Sequence, residues 1–77
     1  MILHVGKQQF VVESLADSSA SYQRFRGTQS STHVPEGVVR DATGSVVARV
    51  SYNGRVWGPG PWRSGAEPIL EATDVDA

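Results

Sequence analysis

Ser45-Val46-Val47-Ala48-Arg49-Val50-Ser51-Tyr52-Asn53-Gly54-Arg55-Val56-Trp57 is the stretch that decides the fold. Two β-prone runs flank Asn53-Gly54, and Asn-Gly between such runs is the strongest short-range hairpin signal, because both residues tolerate the positive φ of a type I′ turn. A two-residue loop pairs Tyr52 with Arg55 and Val50 with Trp57. It predicts Val46, Ala48, Val50, Tyr52 and Trp57 on the core side, with Val47, Arg49, Ser51 and Val56 on the other. Upstream, Val38-Val39-Arg40 is a third β-prone run, joined through the turn-forming Asp41-Ala42-Thr43-Gly44. Downstream, Gly58-Pro59-Gly60-Pro61-Trp62 cannot continue a ladder, so the chain leaves the sheet after Trp57.

A second hairpin opens the chain. Ile2-Leu3-His4-Val5 and Gln9-Phe10-Val11-Val12-Glu13 surround Gly6-Lys7, and glycine leading the turn suits type II′ geometry. This pairs Val5 with Gln8 and Leu3 with Phe10, and it puts Met1, Leu3, Val5, Phe10 and Val12 on the core face. Between the hairpins, Ser14 followed by Asp17 is a variant of the capping box and starts a helix that runs to about Ser30. Leu15, Ser18, Tyr22, Phe25 and Gln29 form its inward stripe at 100° per residue. Arg24 and the serines are expected outside, and Gly27 is expected to end the helix early. A polar loop from Thr28 to Gly37 follows.

Assembled, the chain is α+β: an antiparallel sheet of about five strands in the order ββαβββ, covered on one face by a single helix. Residues 1–57 form the body and residues 58–77 a Pro/Gly-rich arm with an acidic tail, in which Ile69 and Leu70 dock and the acidic end stays mobile. The strand order cannot be read. The uncovered face is predicted to carry Ile2, His4, Val11, Val38, Arg40, Val47, Arg49 and Val56. Five aliphatic residues beside two arginines are unusual where an open sheet normally shows Thr, Lys, Glu and Gln. Three explanations stand: the stretch from Pro61-Trp62 to Leu70 folds back over the face, two copies stack their sheets, or a protein or nucleic-acid partner covers it.

The 77 residues include no cysteine, which excludes a disulfide framework, a Cys-based zinc site and a thiol nucleophile. No apolar stretch reaches the roughly 18 residues of a membrane span, and Met1-Ile2-Leu3-His4 lacks the regions of a signal peptide, so a cytoplasmic location without membrane contact is expected. The formal charge of −1 conceals an asymmetry. Met1 to Gly65 carries +3, with six arginines and one lysine, whereas Ala66 to Ala77 carries −4 from Glu67, Glu71, Asp74 and Asp76. Arginine favours planar, bidentate contacts with carboxylate and phosphate.

Signs of catalysis are missing. His4 and His33 have no carboxylate at metal-ligand spacing, no Gly-x-Ser-x-Gly elbow occurs, and the prolines of Gly58-Pro59-Gly60-Pro61 delete the amides a phosphate loop needs. Neither a cofactor nor a metal is expected, and the protein is read as no enzyme. Arg24, Arg26, Arg40, Arg49, Arg55 and Arg63 with Tyr22, Tyr52, Trp57 and Trp62 would suit phosphates and stacked bases. The near-neutral total and the inward placement of most aromatics weigh against it. Trp62, between Pro61 and Arg63, is either an anchor folded back on the body or a binding residue.

Ser51-Tyr52-Asn53-Gly54-Arg55-Val56-Trp57, after Val34-Pro35-Glu36-Gly37 and the Gly6-Lys7 hairpin, resembles small uncharacterised proteins carried on phages and mobile elements. In size, architecture and absence of chemistry the chain is similar to anti-CRISPR and other anti-defence inhibitors. The resemblance implies a binding protein that occludes a surface of a nucleic-acid-processing host complex, and it implies no active site. Two versions of the contact are open. Arg40, Arg49 and Arg55 with Tyr52, Trp57 and Trp62 could engage the partner, or Glu67, Glu71, Asp74 and Asp76 could mimic phosphates. The alternatives are a small nucleic-acid-binding module and a homodimeric structural protein.

Overall fold

The computed structural model describes residues 1–29, 33–60 and 65–75, and within them the chain forms β1 (Ile2–Val5), β2 (Gln8–Val11), α1 (Leu15–Gly27), β3 (Gly37–Arg40), β4 (Val46–Val50) and β5 (Val56–Trp57). The β1–β2 turn follows from its glycine. Gly6 takes φ +58° while Lys7 stays in the ordinary negative region, as a type II′ turn requires, and Val5 pairs with Gln8. The Ser14 hydroxyl accepts the Asp17 amide at 3.0 Å, satisfying a donor that the first turn of α1 leaves unpaired, and the Asp17 carboxylate accepts the amide of Glu13, just before the cap, at 3.0 Å. Gly27 is the last helical residue, with Thr28 as C-cap.

The five strands form one antiparallel sheet in the order β2-β1-β3-β4-β5. The N-terminal hairpin therefore joins the C-terminal one through β1 and β3, and α1 crosses one face. Leu3, Val5, Val12, Tyr22, Val39, Ala48, Val50 and Val56 form the buried core, with Phe10, Leu15, Phe25, Val34 and Val47 packed around it. Each fully buried large aliphatic side chain contributes about 1.5–3 kcal/mol by leaving water. Tyr22 reaches through this core to donate its hydroxyl to the Pro35 carbonyl at 2.9 Å, and burial pushes its phenol above the ordinary value. Phe10 of β2 and Phe25 of α1 meet with ring centroids 5.5 Å apart, closing the core at the β2 side.

The second hairpin departs from its predicted register. Ser51 donates its amide to the Arg55 carbonyl, Gly54 donates to the Ser51 carbonyl, and the ladder pairs Val50 with Val56 and Arg49 with Trp57. The loop thus has three residues, Tyr52-Asn53-Gly54. Positive φ is confined to Gly54 at +90°, with Asn53 outside that region, so a turn followed by one left-handed residue replaces type I′. Asn53 instead spends its carboxamide oxygen on the Arg55 amide and the Ser51 hydroxyl. Because side chains alternate with a period of two, one extra loop residue turns β5 over: Val56 is fully buried and Trp57 faces away from the helix. A β-bulge between β3 and β4 reverses two more positions. Val39 pairs with Ala48 but Arg40 with Val46, so Val46 lies opposite Arg40 while Val47 packs on the core.

The serines of α1 do not all face solvent. Ser18 and Ser19 are fully buried, Ser18 donating to the Leu15 carbonyl at 2.6 Å and Ser19 to the Gly54 carbonyl at 2.6 Å. The described part of the arm is hydrogen-bonded to the body. Val56 exchanges backbone hydrogen bonds with Ile69 and Leu70, and Thr73 donates its amide to the Ser19 hydroxyl at 3.0 Å. From Ile69 on, the described arm runs along the outer edge of β5 and then onto α1, capping that edge, while the Pro59 carbonyl at the start of the arm lies within reach of Arg49 on the open face.

A Cβ on Gly54 would lie 2.7 Å from the Gln23 carboxamide and would sit on a backbone at φ +90°. Gly54→Ala should therefore destabilise by about 1–3 kcal/mol, and Asn53→Ala by clearly less, in urea unfolding followed by circular dichroism. Equal costs for the two substitutions would restore the type I′ turn, which needs positive φ at both positions.

Candidate functional site

The register sorts the side chains of the uncovered face into two rows. Gln9, His4, Val38, Arg49 and Trp57 are opposite one another across all five strands, a span of about 19 Å at the usual strand spacing. Val11, Ile2, Arg40 and Val46 form the neighbouring row. Ile2, His4, Val38, Val46, Arg49 and Trp57 are half-buried among each other, whereas Arg40 and Val11 are exposed. The face thus combines aliphatic ground with two arginines, a histidine and an indole.

The two arginines of this face are positioned differently. Asp41 accepts the amides of Thr43 and Ser45 and the Thr43 hydroxyl, and this closes the β3–β4 turn. The turn in turn presents the Gly44 carbonyl to the Arg40 guanidinium at 2.7 Å, leaving most of its donors directed at solvent with no carboxylate partner among the described residues. Arg49 pairs with Glu36 at 2.6 Å and donates more weakly to the Pro59 carbonyl at 3.3 Å. Arg49 is half-buried and Glu36 exposed, so water reaches the pair and it adds little stability. Trp57 donates its indole N–H to the Ser51 hydroxyl at 2.9 Å, which anchors the polar end of the ring.

The other candidate residues are elsewhere. Tyr52 lies in the β4–β5 turn, where its carbonyl accepts from Arg26 and the Arg26 guanidinium stands 5.1 Å over its ring. Arg55 is bound to Glu71 at 2.8 Å, so these two hold the arm to β5. Glu67 and Asp74 are exposed on the arm. Trp62 and Asp76 lie outside the described residues. The open face thus brings together Arg40, Arg49 and Trp57, while Tyr52 lies in the β4–β5 turn and Arg55 is paired with Glu71 of the arm. Ile2, His4 and Val38 lie beside them as expected, and the structure adds Val46, which the bulge, leaving no mark in the sequence pattern, concealed.

Among the described residues no three His, Asp or Glu side chains gather as they would to hold a metal ion, and no helix is long and apolar enough to cross a membrane. A groove of about 390 Å³ lies between β2 and α1, lined by Phe10, Ser21, Arg24, Phe25 and Thr28. In comparisons with known proteins, no family model, curated protein or solved structure matches this chain. The function is therefore argued from the surface itself.

Hydrogen bonds from Thr43, its hydroxyl first and then its amide, hold the Asp41 carboxyl below its ordinary 3.8. A depressed carboxyl stabilises the fold above its unfolded value and loses that contribution as pH falls through the lower folded value. Asp41→Ala should accordingly lower Tm at neutral pH, and the gap from the parent protein should narrow on acidification below about pH 4. A gap that is constant across that range would show that the carboxylate does not organise the turn.

Proposed function

We propose that the protein is a non-catalytic binding protein that occludes a surface of a macromolecular partner with its open sheet face. The observation that carries this reading is the two-row array in which Arg40, Arg49 and Trp57 share one face with Ile2, His4 and Val38 and have no covering layer among the described residues. Such a face fits a partner with apolar ground and carboxylate or phosphate groups placed to meet the two guanidiniums. A subunit of a nucleic-acid-processing host complex, the target of an anti-defence inhibitor, has surfaces of this kind. Glu71 and Thr73 are engaged in holding the arm to the body, which favours the arginine version of the contact over phosphate mimicry by the acidic tail.

One observation favours a second reading, direct binding of nucleic acid. Trp57 lies opposite Arg49 on the open face and is no longer a core residue, so an aromatic plane and a guanidinium are adjacent where a base and its phosphate could bind. The two readings differ in what nuclease and salt do.

Tagged protein should retain a protein complex from host-cell extract after nuclease treatment. Arg40→Glu should reduce that retention at least about tenfold, and Glu67→Gln with Asp74→Asn should leave it nearly unchanged. Retention that vanishes with nuclease, with affinity for bare oligonucleotide falling steeply with salt, would select the nucleic-acid reading. Full retention by Arg40→Glu would remove the open face from either.

A further inference from the structure

The two edges of the sheet are finished differently. Ile69 and Leu70 cap β5 with three backbone hydrogen bonds, while β2 at the other end pairs only with β1 among the described residues. Val12 donates its amide to the Met1 carbonyl, which fixes the alternation of the β1–β2 ladder. Residues 8, 10 and 12 turn their backbone groups inward to β1, so Gln9 and Val11 direct theirs outward. Natural edge strands are ordinarily protected by charge, proline, a bulge or a cover. Gln8-Gln9-Phe10-Val11 has none of these, and Val11 is 81% exposed.

We propose that β2 is a self-recognition edge at which a second copy of this chain pairs antiparallel, joining two sheets into one of ten strands. The register is selected by charge. Lys7 and Glu13 flank the strand, and of the pairings that match outward backbone groups, the one centred on Phe10 sets each Lys7 opposite the Glu13 of the other copy. In that register Gln9 exchanges its two backbone bonds with the other copy's Val11. Shifting the strands by two residues either way preserves the hydrogen bonds but separates Lys7 from Glu13. Phe10 then meets its counterpart at the two-fold axis as a close, non-hydrogen-bonded pair. The groove of Phe10, Phe25 and Arg24 merges with the same groove of the other copy beneath the two helices. The contact covers the outward amides and Val11 together, and it stands independently of the open face and its partner.

Sedimentation velocity of the full chain should show the mass rising from 8.3 kDa toward twice that value over about 1 µM to 1 mM protein. Val11→Pro, which deletes an outward amide and none of the β1 ladder, should keep the circular dichroism spectrum and remain a monomer. Lys7→Glu and Glu13→Lys should each weaken the dimer by about tenfold, and the double exchange should restore it, because each copy then presents the reversed pair. A chain that is monomeric at 1 mM overturns the proposal. So does a dimer that ignores Val11→Pro, one whose charge exchange fails to restore association, or one abolished by Val38→Asp and unaffected at β2, which would place the second copy on the open face.

Discussion

The hydroxyl of Ser19 is the point on which the second half of the molecule depends. It is fully buried in the middle of α1, donates to the Gly54 carbonyl at 2.6 Å, and accepts from the Thr73 amide at 3.0 Å and the Gln23 carboxamide at 3.1 Å. Gln23 completes the circuit by donating to the Thr73 carbonyl at 2.8 Å. One small polar side chain therefore joins the helix, the β4–β5 turn and the arm. A longer side chain at 19 would hold the turn away. An apolar one would strand a buried carbonyl and a buried amide, at about 1–3 kcal/mol each.

The open face follows from that constraint. Gly54 can approach Ser19 only because it has no side chain, and it does so in the left-handed conformation that ends a three-residue loop. The same loop brings Val56 beneath the helix and Trp57 onto the other face beside Arg49. Were the turn one residue shorter, the indole would lie in the core and Val56 outside. With the arm bound along β5 and α1, the sheet has, among the described residues, one capped edge, one uncovered edge and one broad face that combines aliphatic, cationic and aromatic groups.

Much of this was legible in the sequence, because several signals are local. Gly6-Lys7 specified its turn and register, Ser14 and Asp17 specified the start of α1, and Asp41 to Gly44 specified the next turn. Together they define ββαβββ with one helix on one face. What the pattern concealed was non-local. Asn53-Gly54 is compatible with either loop length, and the choice is made by contacts from Gly54 to Ser19 and Gln23, about thirty residues away in the chain. The burial of Ser19 was likewise concealed, since serine in a helix ordinarily faces water, and here the arm and turn supply the partners that make its burial tolerable, whereas Ser18, on the inward stripe, bonds back to the Leu15 carbonyl. The bulge opposite Arg40 exchanged Val46 and Val47 for a similar reason: alternation cannot register an unpaired residue.

The central claim, that one hydroxyl locks the turn and the arm to the helix, is tested most directly by amide hydrogen exchange on Ser19→Ala. The account predicts that Ile69 and Thr73 lose at least about tenfold in protection, while Leu3 and Val39 in the middle of the sheet change only with global stability. Unaltered protection at Thr73 and Ile69 in that variant would contradict it, because the arm would then be held by the β5 bridge and the Arg55–Glu71 pair without Ser19.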